Sequence, residues 1–325
     1  MASATVSASQ SLPARLSAMV NPVFRKGILL ATHNRLVAKV VRRYGMRLGG
    51  NRFVAGEDLD QAVPVLRRLN EQGLLTNTTL LGEAVRDERA VAAVVGEYVR
   101  LLDRIQAEGL KTNIALKLTH LGLDLGEDVA YANVERLVAH AATVGNFIRI
   151  DMEESARVDP TLRIYRRLRA AGHDNVGAVL QSALLRTPAD LESLLALKPN
   201  LRLVKGAYLE SPAIAHQKKT DVDAAYVRLA ERMLLENSFT AIATHDEKII
   251  DYMISFAAQH GLTSDSFEIQ MLYGIRSQYQ LDLVRRGFRV LVASPYGAEW
   301  YFYLMRRLAE RPANVMFLLR GIARR

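Results

Sequence analysis

A (β/α)8 barrel of the TIM type, with additional N-terminal helices, is the fold class the sequence predicts. Three observations lead to it. From Arg52 onward, short β-branched and apolar runs alternate with longer segments of helical period, as parallel βα units require. Eight such runs occur: Arg52–Ala55, Asn113–Leu118, Asn146–Asp151, Asn175–Gln181, Leu201–Lys205, Thr240–His245, Ser266–Leu272 and Phe288–Ala293. No G-x-G-x-x-G string follows any of them, which weighs against a doubly wound sheet, the other fold that alternates in this way.

The elements follow in chain order. Residues 1–48 are expected to form a basic extension, flexible over 1–14 and helical from Val20 to Leu48, and residues 49–325 the barrel domain. Of 43 Lys and Arg, nine precede the first acidic residue, Glu57, and the remaining 34 balance 34 Asp and Glu, so the whole net charge of +9 sits in the first 56 positions. Such a segment suits contact with an anionic membrane, a nucleic-acid arm, a targeting leader or a solvated tail. Nucleic acid is disfavoured, since only Phe24 and Tyr44 interleave aromatic rings with that charge. Between Ala55 and Asn113 the chain is too long for one connecting helix, so extra helices are expected over Asp58–Gln72 and Glu83–Glu108. The second carries Val91, Val94, Val95, Tyr98, Leu101, Leu102 and Ile105 at near-helical spacing. Gln217–Glu236 and Ala298–Glu310 read as helices too. With no Cys, disulfides, thiolate metal sites and cysteine nucleophiles are excluded. No apolar run reaches the ~18 residues of a membrane span. The expected location is the cytoplasm, with peripheral contact on the inner face of the membrane.

Barrel chemistry gathers at the carboxyl ends of the strands, and here those ends are polar. The second run leads into Lys117-Leu118-Thr119-His120, the third into Asp151-Met152-Glu153 and the fourth into Gln181. The fifth carries Arg202 and Lys205, the sixth Thr244-His245-Asp246 and the seventh Glu268 and Gln270. One charged residue at a strand end is no more than a capped terminus; six on one face of a barrel form a site. Lysines at strand ends also suit a Schiff-base lyase or racemase. That alternative leaves the last helix unexplained. There, spacings of three and four put Tyr303, Arg306 and Arg307 on one face, where two guanidinium forks suit a carboxylate and Glu310 stands one turn on to hold them. No metal is called for.

In order and approximate spacing, four strings resemble proline dehydrogenase: Leu203-Val204-Lys205-Gly206-Ala207-Tyr208, Ala243-Thr244-His245, Phe267-Glu268-Ile269-Gln270-Met271-Leu272-Tyr273-Gly274 and Tyr303-Leu304-Met305-Arg306-Arg307-Leu308. Phe53-Val54-Ala55-Gly56-Glu57, Leu81-Gly82-Glu83 and Asp151-Met152-Glu153 add to a likeness that runs from about Phe53 to Leu319. The resemblance implies a monofunctional enzyme that oxidises L-proline to 1-pyrroline-5-carboxylate, with non-covalent FAD in a barrel that lacks a dinucleotide fold. It further implies electrons passed to a membrane quinone and a separate 1-pyrroline-5-carboxylate dehydrogenase as partner.

Position by position, Lys117 is similar to the lysine over the substrate carboxylate, beside Arg306 and Arg307. Asp151 and Met152 look like the pair near substrate and flavin. Gln181, Arg202, Val204, Lys205, Gly206, Ala207, Thr244 and His245 match flavin contacts. Tyr208, Leu272 and Tyr303 match pocket walls, and Glu83 resembles a buried supporting acid. Three cations on a carboxylate would orient the ring, and Arg202 would stabilise charge on the reduced cofactor. Three departures stand out: Leu209 where relatives carry Trp, Thr79 where many have Asp, and an eighth strand without the usual tyrosine. The last leaves hydroxyproline open as the alternative substrate.

Overall fold

The alternating runs close into a barrel of eight parallel strands in the computed structural model, which describes residues 32, 34–46, 49–236 and 239–310. The strands are β1 (Leu75–Thr78), β2 (Thr112–Leu116), β3 (Ile148–Ile150), β4 (Val176–Gln181), β5 (Leu201–Val204), β6 (Thr240–Ala243), β7 (Phe267–Leu272) and β8 (Val290–Ala293). They pair in sequence order, and β1 returns to β8 with Leu75 beside Leu291 and Asn77 beside Ala293. The helices are α1 (Arg35–Tyr44), α2 (Leu59–Glu71), α3 (Glu88–Ala107), α4 (Glu127–Thr143), α5 (Val158–Ala170), α6 (Thr187–Leu195), α7 (Lys219–Leu235), α8 (Glu247–Gln259), α9 (Ser277–Arg285) and α10 (Trp300–Glu310).

Seven expected strands fall within two residues of these bounds. The first does not. Arg52–Ala55 is not a strand, because the N–H groups of Phe53 and Val54 turn back onto Gly50 O at 2.9 and 3.1 Å and are spent in a local turn. The true first strand is Leu-Thr-Asn-Thr, which has no apolar run because its inward face carries Asn77. The extra helices therefore fall differently: α2 precedes β1, and α3 alone connects β1 to β2.

Local signals start both helices. Asp58 accepts from Gln61 N at 2.9 Å while Gln61 Oε1 accepts from Glu57 N, a reciprocal cap on α2. Asp87 caps α3 through Ala90 N at 2.8 Å. Because Ala84 is left-handed at φ 55°, α3 starts at Glu88 rather than Glu83, leaving Glu83 on a loop above β1. The inner faces of the helices pack on the sheet: Val91, Val95, Tyr98, Leu101, Leu102 and Ile105 of α3, and Ala225, Leu229 and Met233 of α7, are buried. Each buried Leu or Val contributes roughly 1.5–3 kcal/mol.

The chain divides into two compact units, one of residues Ala55–Gly297 and the other of Met1–Val54 with Ala298–Arg325. In the second unit Arg42 of α1 pairs with Glu299 at 3.6 Å and lies 5.1 Å from the ring centre of Tyr301, whose hydroxyl donates to Thr32 O. The flexible segment expected over 1–14 and most of the helix expected over Val20–Leu48 lie outside the described residues. Among those described, no helix is long and apolar enough to cross a membrane.

Candidate active site

Successive side chains of a strand point to opposite faces, and the register brings the inward set together. Arg202 on β5 lies beside Val179 and Ala241, and Gln270 on β7 beside Ala243 and Leu291. Arg202 is buried, and its guanidinium reaches three other strands or their ends. Nε donates to Gln270 Oε1 at 2.5 Å, Nη1 to Asp151 Oδ1 at 2.7 Å and Nη2 to Asn77 Oδ1 at 3.2 Å. A guanidinium taken from water loses several kcal/mol of hydration; one carboxylate and two amide oxygens offset that cost. Arg149, two residues before Asp151, fills the same interior and donates to Ala178 O and Asn200 O at 3.1 and 2.7 Å. Burial, and then the Arg202 charge, bring it down to about 9, still cationic at neutral pH. Gly177 leaves it room, since a Cβ there would collide with the Arg149 guanidinium and stand 2.5 Å from Asn200 O.

Around this centre the other expected residues group in pairs. Lys117 forms an ion pair with Glu83. Glu83 is not the buried acid expected: its side chain is 42% exposed, because the loop that carries it stands above the barrel. Glu153 close by is buried, accepting from Thr119 N and Oγ1 at 3.1 and 2.6 Å, with its pKa raised by burial against those two bonds. Gln181 Nε2 donates to Glu153 O at 2.6 Å. Its Oε1 lies 3.0 Å from where a Cβ on Gly206 would sit, and Gly206 holds φ 106°, so bare backbone faces Gln181. Lys205 donates to Asp223 at 2.6 Å and Asp246 at 3.4 Å. Thr244 Oγ1 accepts from Asp246 N, and His245 Nε2 accepts from Leu272 N at 2.9 Å, which puts the ring proton on Nδ1. Met152 is buried, Val204, Tyr208 and Leu272 are partly buried, and Ala207 is exposed. Leu209 is 80% exposed.

The structure thus joins Asp151 to Arg202, Lys117 to Glu83, Gln181 to the Gly206 turn, and His245 to Leu272. Tyr303, Arg306 and Arg307 lie on α10 in the other unit, with the Arg307 guanidinium 5.3 Å from the ring centre of Tyr303. Glu310 ends α10, and its side chain lies outside the described residues. Asp246 and Gln270 stood among the polar strand-end residues read from the sequence but carried no assigned role, and Asn77, Arg149 and Asp223 were assigned none. Period-two alternation from Asp151 and Leu272 points to Arg149 and Gln270; Asn77 was hidden with its strand.

One buried group near the site sets an acid limit on stability. His120 is buried, its Nδ1 has no hydrogen-bond partner among the described residues, and its ring packs under Gly82. Burial first, and the Lys117 charge second, lower its pKa to about 4. A folded-state pKa below the unfolded value means that stability is intact above pH ~6.5 and is lost as pH falls toward 4, by on the order of 3 kcal/mol. Urea unfolding of wild type and His120→Gln should therefore show a stability difference that shrinks between pH 7 and 4. A pH-independent difference would exclude His120 as the cause.

Comparison with known proteins agrees with the barrel. The proline dehydrogenase family model matches residues 62–320. Proline dehydrogenase 2 of Bacillus subtilis (strain 168) is 39% identical over 303 residues, 93% of this chain and 100% of that protein. Proline dehydrogenase of Deinococcus radiodurans is 40% identical over 308 residues, 94% of this chain and 99% of that one. Among solved structures, proline utilization A (PutA) from Bdellovibrio bacteriovorus, inactivated by N-propargylglycine, matches with TM-score 0.79 and 21% identity. That match covers 94% of this chain but only 39% of the longer PutA chain, and at this identity the likeness is one of fold. With two near-full-length relatives at 39–40% identity and a family model over most of its length, the chain belongs to the proline dehydrogenase family.

Proposed function

We propose that this member of the family oxidises L-proline to 1-pyrroline-5-carboxylate with FAD held at the ends of β4, β5 and β6, and passes the electrons to a quinone. The observation that carries the reading is the Arg202 fork, a buried cation fixed by three strands where barrel enzymes do their chemistry. The residues present fit the cofactor. Gly206 offers open backbone beside Gln181, and Arg202 supplies positive charge next to it in the sheet. Gln181, Arg202, Val204, Lys205, Gly206, Ala207, Thr244 and His245, with Met152, would hold it. When bound, FAD supplies the acceptor for the hydride that leaves proline C5.

The chain's own residues bind and orient the substrate. Lys117, Arg306 and Arg307 hold the carboxylate, so the ring presents C5 rather than its charged end. Tyr208, Leu272 and Tyr303 wall the ring and exclude water and longer amino acids. Asp151 fixes the Arg202 fork, and proline enters as the free amine, its ring nitrogen having lost its proton to solvent beforehand. We assign residues 49–325 to the catalytic domain and 1–48 to an extension.

The decisive experiment is anaerobic addition of L-proline to the purified protein. It is expected to be yellow and to bleach, and N-propargylglycine, which inactivated the Bdellovibrio PutA, is expected to inactivate it irreversibly. A colourless protein that borohydride traps on a carbonyl substrate would replace this reading with the Schiff-base lyase. Faster bleaching by hydroxyproline than by proline would reassign the substrate, the alternative that the altered eighth strand leaves open.

Quinone use asks for membrane contact. Leu36, Val40 and Tyr44 stand exposed at four-residue spacing on α1, which carries Arg35, Lys39, Arg42 and Arg43 and no acid. Such an amphipathic cationic helix suits the inner face of an anionic bilayer from the cytoplasm. Replacing the exposed Leu36, Val40 and Tyr44 with Ser is expected to weaken binding to anionic vesicles while leaving dye-linked proline oxidation; unchanged binding would sink the membrane role. A separate 1-pyrroline-5-carboxylate dehydrogenase then takes the product.

A further inference from the structure

Two residues of β7 have no part in holding substrate or cofactor, yet they control what Arg202 meets. Gln270 and Glu268 are both buried and both face the interior. Gln270 Oε1 accepts from Arg202 Nε, while Gln270 Nε2 donates to Glu268 Oε1. An amide has a donor end and an acceptor end of nearly the same shape, so packing alone does not choose between them. The carboxylate does choose. An ionised Glu268 only accepts, so turning the Gln270 amide over would set NH2 against the guanidinium and oxygen against oxygen, losing two bonds and creating two repulsions. Arg289, 3.9 Å from Glu268, and the nearby charge of Arg149 offset the buried carboxylate.

We propose that Glu268 is a positioning residue for the reaction: by fixing the polarity of Gln270 it anchors Arg202 Nε to β7 and leaves Nη1 and Nη2 for Asp151 and Asn77. The orientation of Arg202 is thus set from a residue that contacts neither Arg202 nor any reacting atom. The catalytic consequence rests on the function proposed above. The orientation itself does not, and the two are separable by experiment.

The test is hydrogen exchange at the Arg202 Nε–H, followed by 15N NMR of the full chain as purified and assigned with Arg202→Lys. In wild type the Arg202 Nε–H should exchange slowly. Glu268→Gln permits the Gln270 amide to turn over, and exchange should quicken at least tenfold. The double variant Glu268→Gln/Gln270→Glu puts a carboxylate directly on Arg202 Nε and a donor behind it, and should restore slow exchange. In proline oxidation, Glu268→Gln should lower kcat about tenfold with KM within twofold, and the double variant should recover most of it. Should Glu268→Gln fail to fold, Gln270→Leu, which removes the acceptor, should show the same fast exchange. Equal exchange in wild type and these variants would overturn the proposal, as would a double variant that stays fast. Slow wild-type exchange and double-variant rescue in a protein that proline does not bleach would instead uphold the relay and reject the enzymatic reading.

Discussion

Arg202→Lys should slow proline-dependent flavin reduction by about 10²–10³-fold, the cost of removing a preorganised electrostatic contact from a site closed to water. Flavin should stay bound, because Gln181, the Gly206 turn and the His245 region are untouched. The size of the effect follows from geometry rather than charge, which lysine keeps. The guanidinium meets acceptors on β1, after β3 and on β7. A single ammonium on a shorter reach meets one or two of them and leaves a buried amide oxygen unsatisfied, at about 1–3 kcal/mol. Arg202→Met should be worse for stability, by about 3–5 kcal/mol, since Asp151 then faces the interior without its partner. Stopped-flow flavin reduction and urea unfolding on the same preparations separate the two effects. A lysine variant that reduces at the wild-type rate would show that position and fork do not matter to the chemistry.

The same cluster shows what could be read from the sequence and what could not. Seven strands were legible because their residues face helices on one side and a crowded interior on the other, which leaves a recognisable β-branched run. β1 was not, because its inward residues are Leu75 and Asn77 and its outward ones threonines, so the cue of a buried parallel strand is missing. The cue had been spent on Arg52–Ala55, an apolar turn. Residue types at strand ends, Arg202 and Asp151 among them, pointed to the candidate site, yet their partnership spans 51 positions and arises only when the barrel closes. Lys205 shows the same limit in another form. Read alone it is a free cation at a strand end, but Asp223 on α7 and Asp246 after β6 meet it there. A phosphate group bound at this place would share that ammonium with two carboxylates. The exposed state of Glu83 follows from Ala84: one left-handed residue lifts the loop off the helix that spacing alone had extended back to Glu83.

Arg306→Lys and Arg307→Lys should each raise KM for proline about 10–100-fold with flavin content unchanged, the worth of one charge-assisted bond of about 1.5–3 kcal/mol. The proposed clamp depends on planar forks, and ammonium keeps the charge while losing the paired geometry. The two variants should also differ. Arg307 lies over the Tyr303 ring, a contact that fixes its plane, so Tyr303→Leu should reproduce part of the Arg307→Lys defect and add little when combined with it. Tyr303→Leu combined with Arg306→Lys is the comparison pair for that coupling. A double-mutant cycle on kcat/KM measures this directly. Coupling confined to the Tyr303–Arg307 pair supports a clamp in which the aromatic residue sets one fork. Normal proline saturation in both arginine variants would remove the clamp altogether and leave Lys117, already engaged with Glu83, as the one lysine or arginine assigned to the carboxylate.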